Sequence, residues 1–165
     1  MRLIPFRRRP DSFTLQWHLT NACEGNCKHC YDRSDRETLP LDAALRVLEM
    51  FQRFCKRRKL KGHISLSGGN PFLYPGFFDL YRAIAAEKIT ISILGNPVTM
   101  GQIEEMVLIR KPVYYQVSLE GLREHNDMMR GKGHYDRTLS FLDDLRSTGI
   151  RSHVMLTLTK DNLEQ

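Results

Sequence analysis

Residues 63–97, HISLSGGNPFLYPGFFDLYRAIAAEKITISILGNP, hold one full unit of the pattern that decides the fold. A short run at 63–67 ends in Gly68, Gly69, Asn70 and Pro71. Pro75 then opens an amphipathic stretch carrying Phe78, Tyr81 and Ile84, and a second run at 89–94 ends in Gly95, Asn96 and Pro97. Short β-rich runs punctuated by Gly and Pro predict strands, and helical spacing between them predicts a helix. A strand, helix, strand unit of this size predicts parallel pairing.

The same unit repeats outward in both directions. Upstream, 13–19 alternates apolar and polar residues as a first strand, and Pro40 opens a helix on which Leu41, Leu45, Leu48, Phe51 and Phe54 follow helical spacing. Downstream, a helix over 101–109, a strand over 113–119, a helix over 135–147 and a strand over 153–159 complete the series, with Gly149 suited to a helix C-cap. The fold class is therefore α/β, with five strands visible over residues 12–165 behind a basic arm at 1–11. Asp161 and Asn162 have the chemistry of a cap for one more helix. The fifth strand would expose an unpaired edge unless another covered it, so the expectation is a truncated piece of a longer barrel.

At 165 residues, 41% hydrophobic and 27% charged, the chain can bury one core and does not read as disordered. No apolar run approaches a membrane span and the first ten residues lack the apolar centre of a secretory signal, which predicts a cytoplasmic protein without a membrane partner. The net charge of +6 gathers at Arg7, Arg8 and Arg9 and at Lys56, Arg57, Arg58, Lys59 and Lys61. The second group falls at a predicted helix end, where cations complement the dipole, so no nucleic acid is needed to explain it. An acidic peptide or nucleic-acid partner is the alternative reading.

Directly after the first strand comes Cys23-Glu-Gly-Asn-Cys27-Lys-His-Cys30. Three thiols within eight positions of a chain read as cytosolic point to metal rather than disulfides. Structural zinc takes four protein ligands, usually as two separated pairs, and no second pair follows. A four-iron cube held by three thiolates would keep one iron open. Cys55, the remaining cysteine, sits among apolar helix positions and reads as core, with a fourth-ligand role as the alternative. His18 and His29 read as hydrogen-bonded structure rather than ligands.

The Cys-x3-Cys-x2-Cys pattern followed by Tyr31 resembles the signature of the radical S-adenosylmethionine (SAM) superfamily. That resemblance implies a partial (βα)6-type barrel and a [4Fe-4S] cluster on Cys23, Cys27 and Cys30, whose open iron chelates the amino and carboxylate groups of SAM. It also implies an external electron donor and reductive cleavage of SAM to a 5′-deoxyadenosyl radical that abstracts a hydrogen atom from substrate.

Two further segments carry the likeness. Ser67-Gly68-Gly69-Asn70-Pro71 resembles the family's Gly-Gly-Glu-Pro segment, which receives the SAM amino group, with Asn70 in place of the glutamate; an amide oxygen still accepts a hydrogen bond but lacks the charge. A tight turn is the competing reading. Ser118-Leu119-Glu120-Gly121, followed by His125, Asn126, Asp127, Arg130 and Gly131, resembles the Ser-Leu-Asp-Gly, His-Asp and Arg-Gly segments of the group that modifies peptides and proteins and carries C-terminal auxiliary cluster domains, a region expected to be absent from residues 1–165. The match implies SAM contacts from Ser118 and Glu120 and an Arg130 fork on the SAM carboxylate. Glu120 and His125 as polar loop residues remain the alternative. The run from Asn70 to Pro75 is similar to maturases of small ribosomally made peptides, including those proposed for selenium- or sulfur-containing ones, which implies a precursor peptide or protein as substrate.

Thr157 and Thr159 alternate along the fifth strand and would face the barrel interior. Asn96 reads as a turn residue, and Phe13 with Trp17 as one core face of the first strand. A second function class stays open: an iron–sulfur or zinc module for binding or electron transfer that never meets SAM.

Overall fold

The computed structural model describes residues 10–32, 34 and 37–163. The Arg7, Arg8 and Arg9 cluster of the basic arm lies outside the described residues. Five parallel strands pair in sequence order, β1 (Ser12–Thr20), β2 (Lys61–Gly68), β3 (Thr90–Leu94), β4 (Tyr115–Ser118) and β5 (Ser152–Met155). An order without reversal is that of a barrel wall, whereas a doubly wound sheet reverses at a switch point. Between the strands lie α1 (Leu41–Arg58), α2 (Phe77–Ala86), α3 (Met100–Arg110), α4 (Arg123–Arg130) and α5 (His134–Ser147).

The register aligns Trp17, Leu66, Ile93 and Tyr115 in one row and Leu15, Ile64 and Ile91 in another. These rows form the core with Ala44, Leu48, Phe51 and Cys55 of α1, Tyr81 of α2, Ile103 and Met106 of α3, and Phe141 of α5. Cys55 is thus a small hydrophobe in the packed layer, as its helical position implies. The intervening rows carry Gln16, Ser65 and Ser92, then His18 and Ser67, then Leu94, Gln116 and His153. Barrel interiors are ordinarily filled by branched apolar residues. Here the concave face is polar.

Several boundaries differ from the sequence expectation. Phe13 shares a face with Trp17 but stays 45% exposed at the strand start, against Phe51 and Phe54, while Leu45 of α1 is exposed and Ala44 buried in its stead. α2 begins at Phe77 rather than Pro75, because the Asn70 side chain caps a one-turn 3-10 helix, Pro71–Leu73, and the chain must leave it before turning again. β5 ends at Met155, not at 159: the Thr157 amide turns away to the Glu120 carboxylate, 2.8 Å off. Nor does Asn162 cap a helix among the described residues; its Oδ1 accepts from the Thr159 amide at 2.7 Å, and its Nδ2 donates to the carbonyls of Thr157 and Glu120. Gly149, at φ +69, does close α5, with the Ile150 amide donating to the Leu145 carbonyl. Lys56, Arg57 and Arg58 occupy the last turn of α1, exposed, where cations meet unpaired carbonyls.

Candidate functional site

The C-terminal ends of the strands open on a cavity of about 490 Å³ lined by Cys23, Cys27 and Cys30, by Gly68 and Gly69, and by Ser118 and Arg130. Asn96, Gln116, His18 and Thr157 also face it. This end is where a parallel barrel presents its loops and where its ligands sit.

The cysteine loop is seated by backbone. The Gly69 amide donates to the Thr20 carbonyl and the Asn70 amide to the Ala22 carbonyl, both at 2.8 Å. A Cβ on Gly69 would stand 2.3 Å from the Ala22 oxygen, and one on Gly68 (φ +137) 2.3 Å from the Thr20 oxygen. The glycine pair therefore has a structural task, close approach of two chains, besides lining the cavity. Further along, the Lys28 amide donates to the Met129 carbonyl of α4 at 2.9 Å, fixing the far side of the loop.

The thiols stand in a polar setting. A Cβ on Gly25 would lie 3.6 Å from Cys27 Sγ and 3.7 Å from Cys23 Sγ, so the loop folds around a residue with no side chain. Asn96 Nδ2 donates to Cys23 Sγ at 3.4 Å and Arg130 Nη1 to Cys27 Sγ at 3.7 Å, while Cys30 Sγ donates to the Asp32 carbonyl at 3.2 Å. Burial pushes the Cys27 thiol up, the Arg130 guanidinium opposes that, and the neighbouring Cys23 and Cys30 thiols add to the rise. Among the described residues, no three His, Cys, Asp or Glu side chains converge on a position for a single metal ion. Three thiols facing an open cavity suit a cluster better than a lone zinc.

Glu120 lies beside the cavity, 1% exposed, and is filled by protein donors. Its Oε1 accepts from Arg130 Nε at 2.8 Å and Nη2 at 2.5 Å and lies 3.3 Å from His29 Nε2; its Oε2 accepts from the Thr157 amide. Burial raises its pKa, yet the Thr157 and Arg130 hydrogen bonds and the Arg130 charge prevail and hold it below the ordinary carboxylate range. Asn70 is likewise engaged: Nδ2 donates to Glu24 Oε1 at 2.8 Å and Oδ1 accepts from the Phe72 amide. Of the residues singled out for SAM, Gly68, Gly69, Ser118 and Arg130 line the cavity, and the Asn70 and Glu120 side chains are held by neighbouring groups.

The polar residues after Glu120 build a scaffold. Asn126 Oδ1 accepts from the Glu120 amide at 3.0 Å, and Asp127 accepts from the Gly133 and Tyr135 amides, joining α4 to α5. His125 is buried with α4, and His134 is buried enough that its pKa falls to about 4. Of the two threonines expected to face the interior, Thr157 lines the cavity; Thr159 bonds to Asn162 instead. Asn96 does more than turn the chain. Its contact with Cys23 spans 73 positions, and nothing in the local Gly-Asn-Pro sequence signals it.

A sequential parallel sheet with three thiols and a glycine-lined cavity at its C-terminal edge defines a class of cluster-bearing βα-barrel proteins. Residues 17–165 match the model of the Radical SAM superfamily, and the chain belongs to that family. Its members use a [4Fe-4S] cluster together with SAM. The chain is 26% identical over 170 residues to Mycofactocin maturase MftC of Mycolicibacterium smegmatis, covering 97% of this chain and 41% of that protein. It is 30% identical over 156 residues to Pre-heme d1 synthase of Dinoroseobacter shibae, covering 90% and 37%. The crystal structure of Streptococcus suis SuiB bound to precursor peptide SuiA superposes with a TM-score of 0.72 at 24% identity, over 93% of this chain and 35% of that one. The chain thus spans about two fifths of the length of the relatives it matches. No helix among the described residues is long and apolar enough to cross a membrane.

Proposed function

We propose that this chain is the cluster- and SAM-binding part of a radical SAM enzyme that modifies a ribosomally made peptide. One observation carries the reading: three thiols on the loop after β1 face a cavity walled by glycine backbone and by polar groups from the ends of the other strands. In this reading Cys23, Cys27 and Cys30 hold the [4Fe-4S] cluster, and Gly68, Gly69, Ser118 and Arg130 bound the space for SAM. When bound, the pair supplies reductive SAM cleavage to a radical that abstracts hydrogen from substrate. The chain's own residues hold and shield that chemistry. Asn96 and Arg130 donate to cysteine sulfurs, which stabilises negative charge there. The glycines admit a ligand against the backbone.

The peptide reading is supported by MftC, named a maturase, and by SuiB, seen with a precursor peptide. The lining of the cavity adds to it. Gln16, Ser67, Asn96, Gln116 and Ser118 are uncharged hydrogen-bonding groups suited to amides, and the Arg130 guanidinium in the lining is engaged by Glu120. A substrate presenting several carboxylates would call for basic partners. The similarity to Pre-heme d1 synthase makes a non-peptide substrate the second reading. An external one-electron donor belongs to the proposal, as does a cytoplasmic location, since cysteines that ligate a cluster must stay reduced, which a reducing compartment favours.

The test is anaerobic reconstitution with iron and sulfide, followed by electron paramagnetic resonance of the reduced protein with and without SAM. A four-iron signal that shifts on SAM addition and vanishes in Cys27→Ala supports the reading; binding of zinc alone refutes it.

A further inference from the structure

Glu120 stands where the family resemblance implies a contact to SAM, yet its carboxylate faces protein on every side. Oε1 takes two guanidinium N–H groups and lies against His29, and Oε2 takes the Thr157 amide. Its backbone is pinned as well, the amide to Asn126 Oδ1 and the carbonyl to Asn162 Nδ2. Three chain segments thus meet on one buried side chain: the cysteine loop through His29, the end of α4 through Arg130, and the segment after β5 through Thr157.

Arg130 shows what this arrangement is for. Its Nε edge and Nη2 are spent on Glu120, which leaves Nη1 directed at Cys27 Sγ, 3.7 Å away, on the cavity wall. A free arginine side chain samples many rotamers, whereas a fork held along one edge presents the other in a fixed direction. We propose that Glu120 is a positioning residue: it orients Arg130 and docks the cysteine loop against α4, and does not itself touch SAM. The part of this that concerns SAM rests on the function proposed above; the docking part does not.

Glu120→Gln is a demanding probe. The carboxamide keeps one acceptor oxygen and turns the other into an NH2 donor, so whichever way it sits, either the guanidinium or the Thr157 amide meets a donor. Glu120→Asp retains the charge. The reporter is the Lys28 amide, bonded to the Met129 carbonyl across the joint in question. In cluster-free protein, hydrogen exchange at Lys28 should quicken about tenfold in Glu120→Gln, and return toward the wild-type rate in Glu120→Asp, with amides of Ile64 and Ile91 unchanged. Unchanged Lys28 exchange in Glu120→Gln overturns the proposal. Should that variant lose protection everywhere, Arg130→Lys takes its place, keeping the charge without the fork: selective loss at Lys28 supports the proposal and full retention overturns it. In reconstituted protein, SAM affinity measured by titration should fall about tenfold in Glu120→Gln and recover in Glu120→Asp. A wild type that takes up neither cluster nor SAM sinks the proposed function and leaves the exchange result to judge the docking role by itself.

Discussion

Asn96 Nδ2 lies 3.4 Å from Cys23 Sγ, so the turn after β3 reaches across to the first thiol of the loop after β1. The Asn96 carbonyl is itself held by the Tyr115 hydroxyl at 2.6 Å, which fixes the turn from beneath. Groups that bond to a ligating atom without being ligands set its orientation and basicity. Asn96→Ala should fold normally yet retain iron on the order of 10-fold less firmly. Iron content after challenge of the reconstituted protein with a chelator measures this.

The two glycines of the Gly68-Gly69 pair and Gly101 make opposite predictions. Gly69→Ala would drive a Cβ to within 2.3 Å of the Ala22 backbone oxygen, and backbone cannot swing aside as a side-chain tip can. Urea unfolding should show a loss of roughly 2–3 kcal/mol, with the cysteine loop displaced. Gly101→Ala, in the first turn of α3 with nothing within 4 Å of the added atom, should gain about 0.4–1 kcal/mol.

The four cysteines should separate cleanly. Cys23→Ala, Cys27→Ala and Cys30→Ala each remove a thiol from the cavity wall and should abolish the four-iron signal with little change in thermal midpoint. Cys55→Ala empties part of the packed layer between α1 and Gly62 at the start of β2, and should cost about 1–2 kcal/mol while leaving iron uptake intact. The reverse pattern would mean that Cys55 is a ligand.

Acid should weaken the fold through His134. Its folded pKa is lowered to about 4, chiefly by burial, against an unfolded value near 6.5, so the unfolded chain binds the extra proton throughout that window. Stability is therefore complete above about pH 6.5 and declines as pH falls toward 4, by about 2–3 kcal/mol. Glu120, whose pKa is held down, loses its own contribution as pH falls through the folded carboxylate value, so the two effects add. Denaturant titrations across this range should show a shallower slope in His134→Gln than in the wild type.

The alternating strands and helices were legible because each element shows one apolar face, and the three thiols because their spacing is local. α4 was not. Its sequence, REHNDMMR, has no apolar stripe; its buried residues are His125 and Asn126, and Asn126 is held by polar contacts that no hydrophobic period reveals. Missing that helix hid the Glu120–Arg130 pair, since it is α4 that carries Arg130 to the Glu120 carboxylate ten positions earlier. The contacts Asn70–Glu24 and Asn96–Cys23 were illegible for a different reason: each joins loops from separate βα units, and a single sequence carries no trace of which loops meet.

The polar concave face has a consequence for how such a chain can change. Because the apolar rows of the sheet pack against the helices, the burial of apolar surface comes mainly from one side of the wall, and the polar rows of the other side add little apolar area. Gln16 and Gln116, which line the cavity, can therefore be replaced with slight effect on folding, leaving them free to diverge with whatever the cavity receives. The architecture keeps its foundation and its vocabulary on opposite faces of the same four strands, β1 to β4.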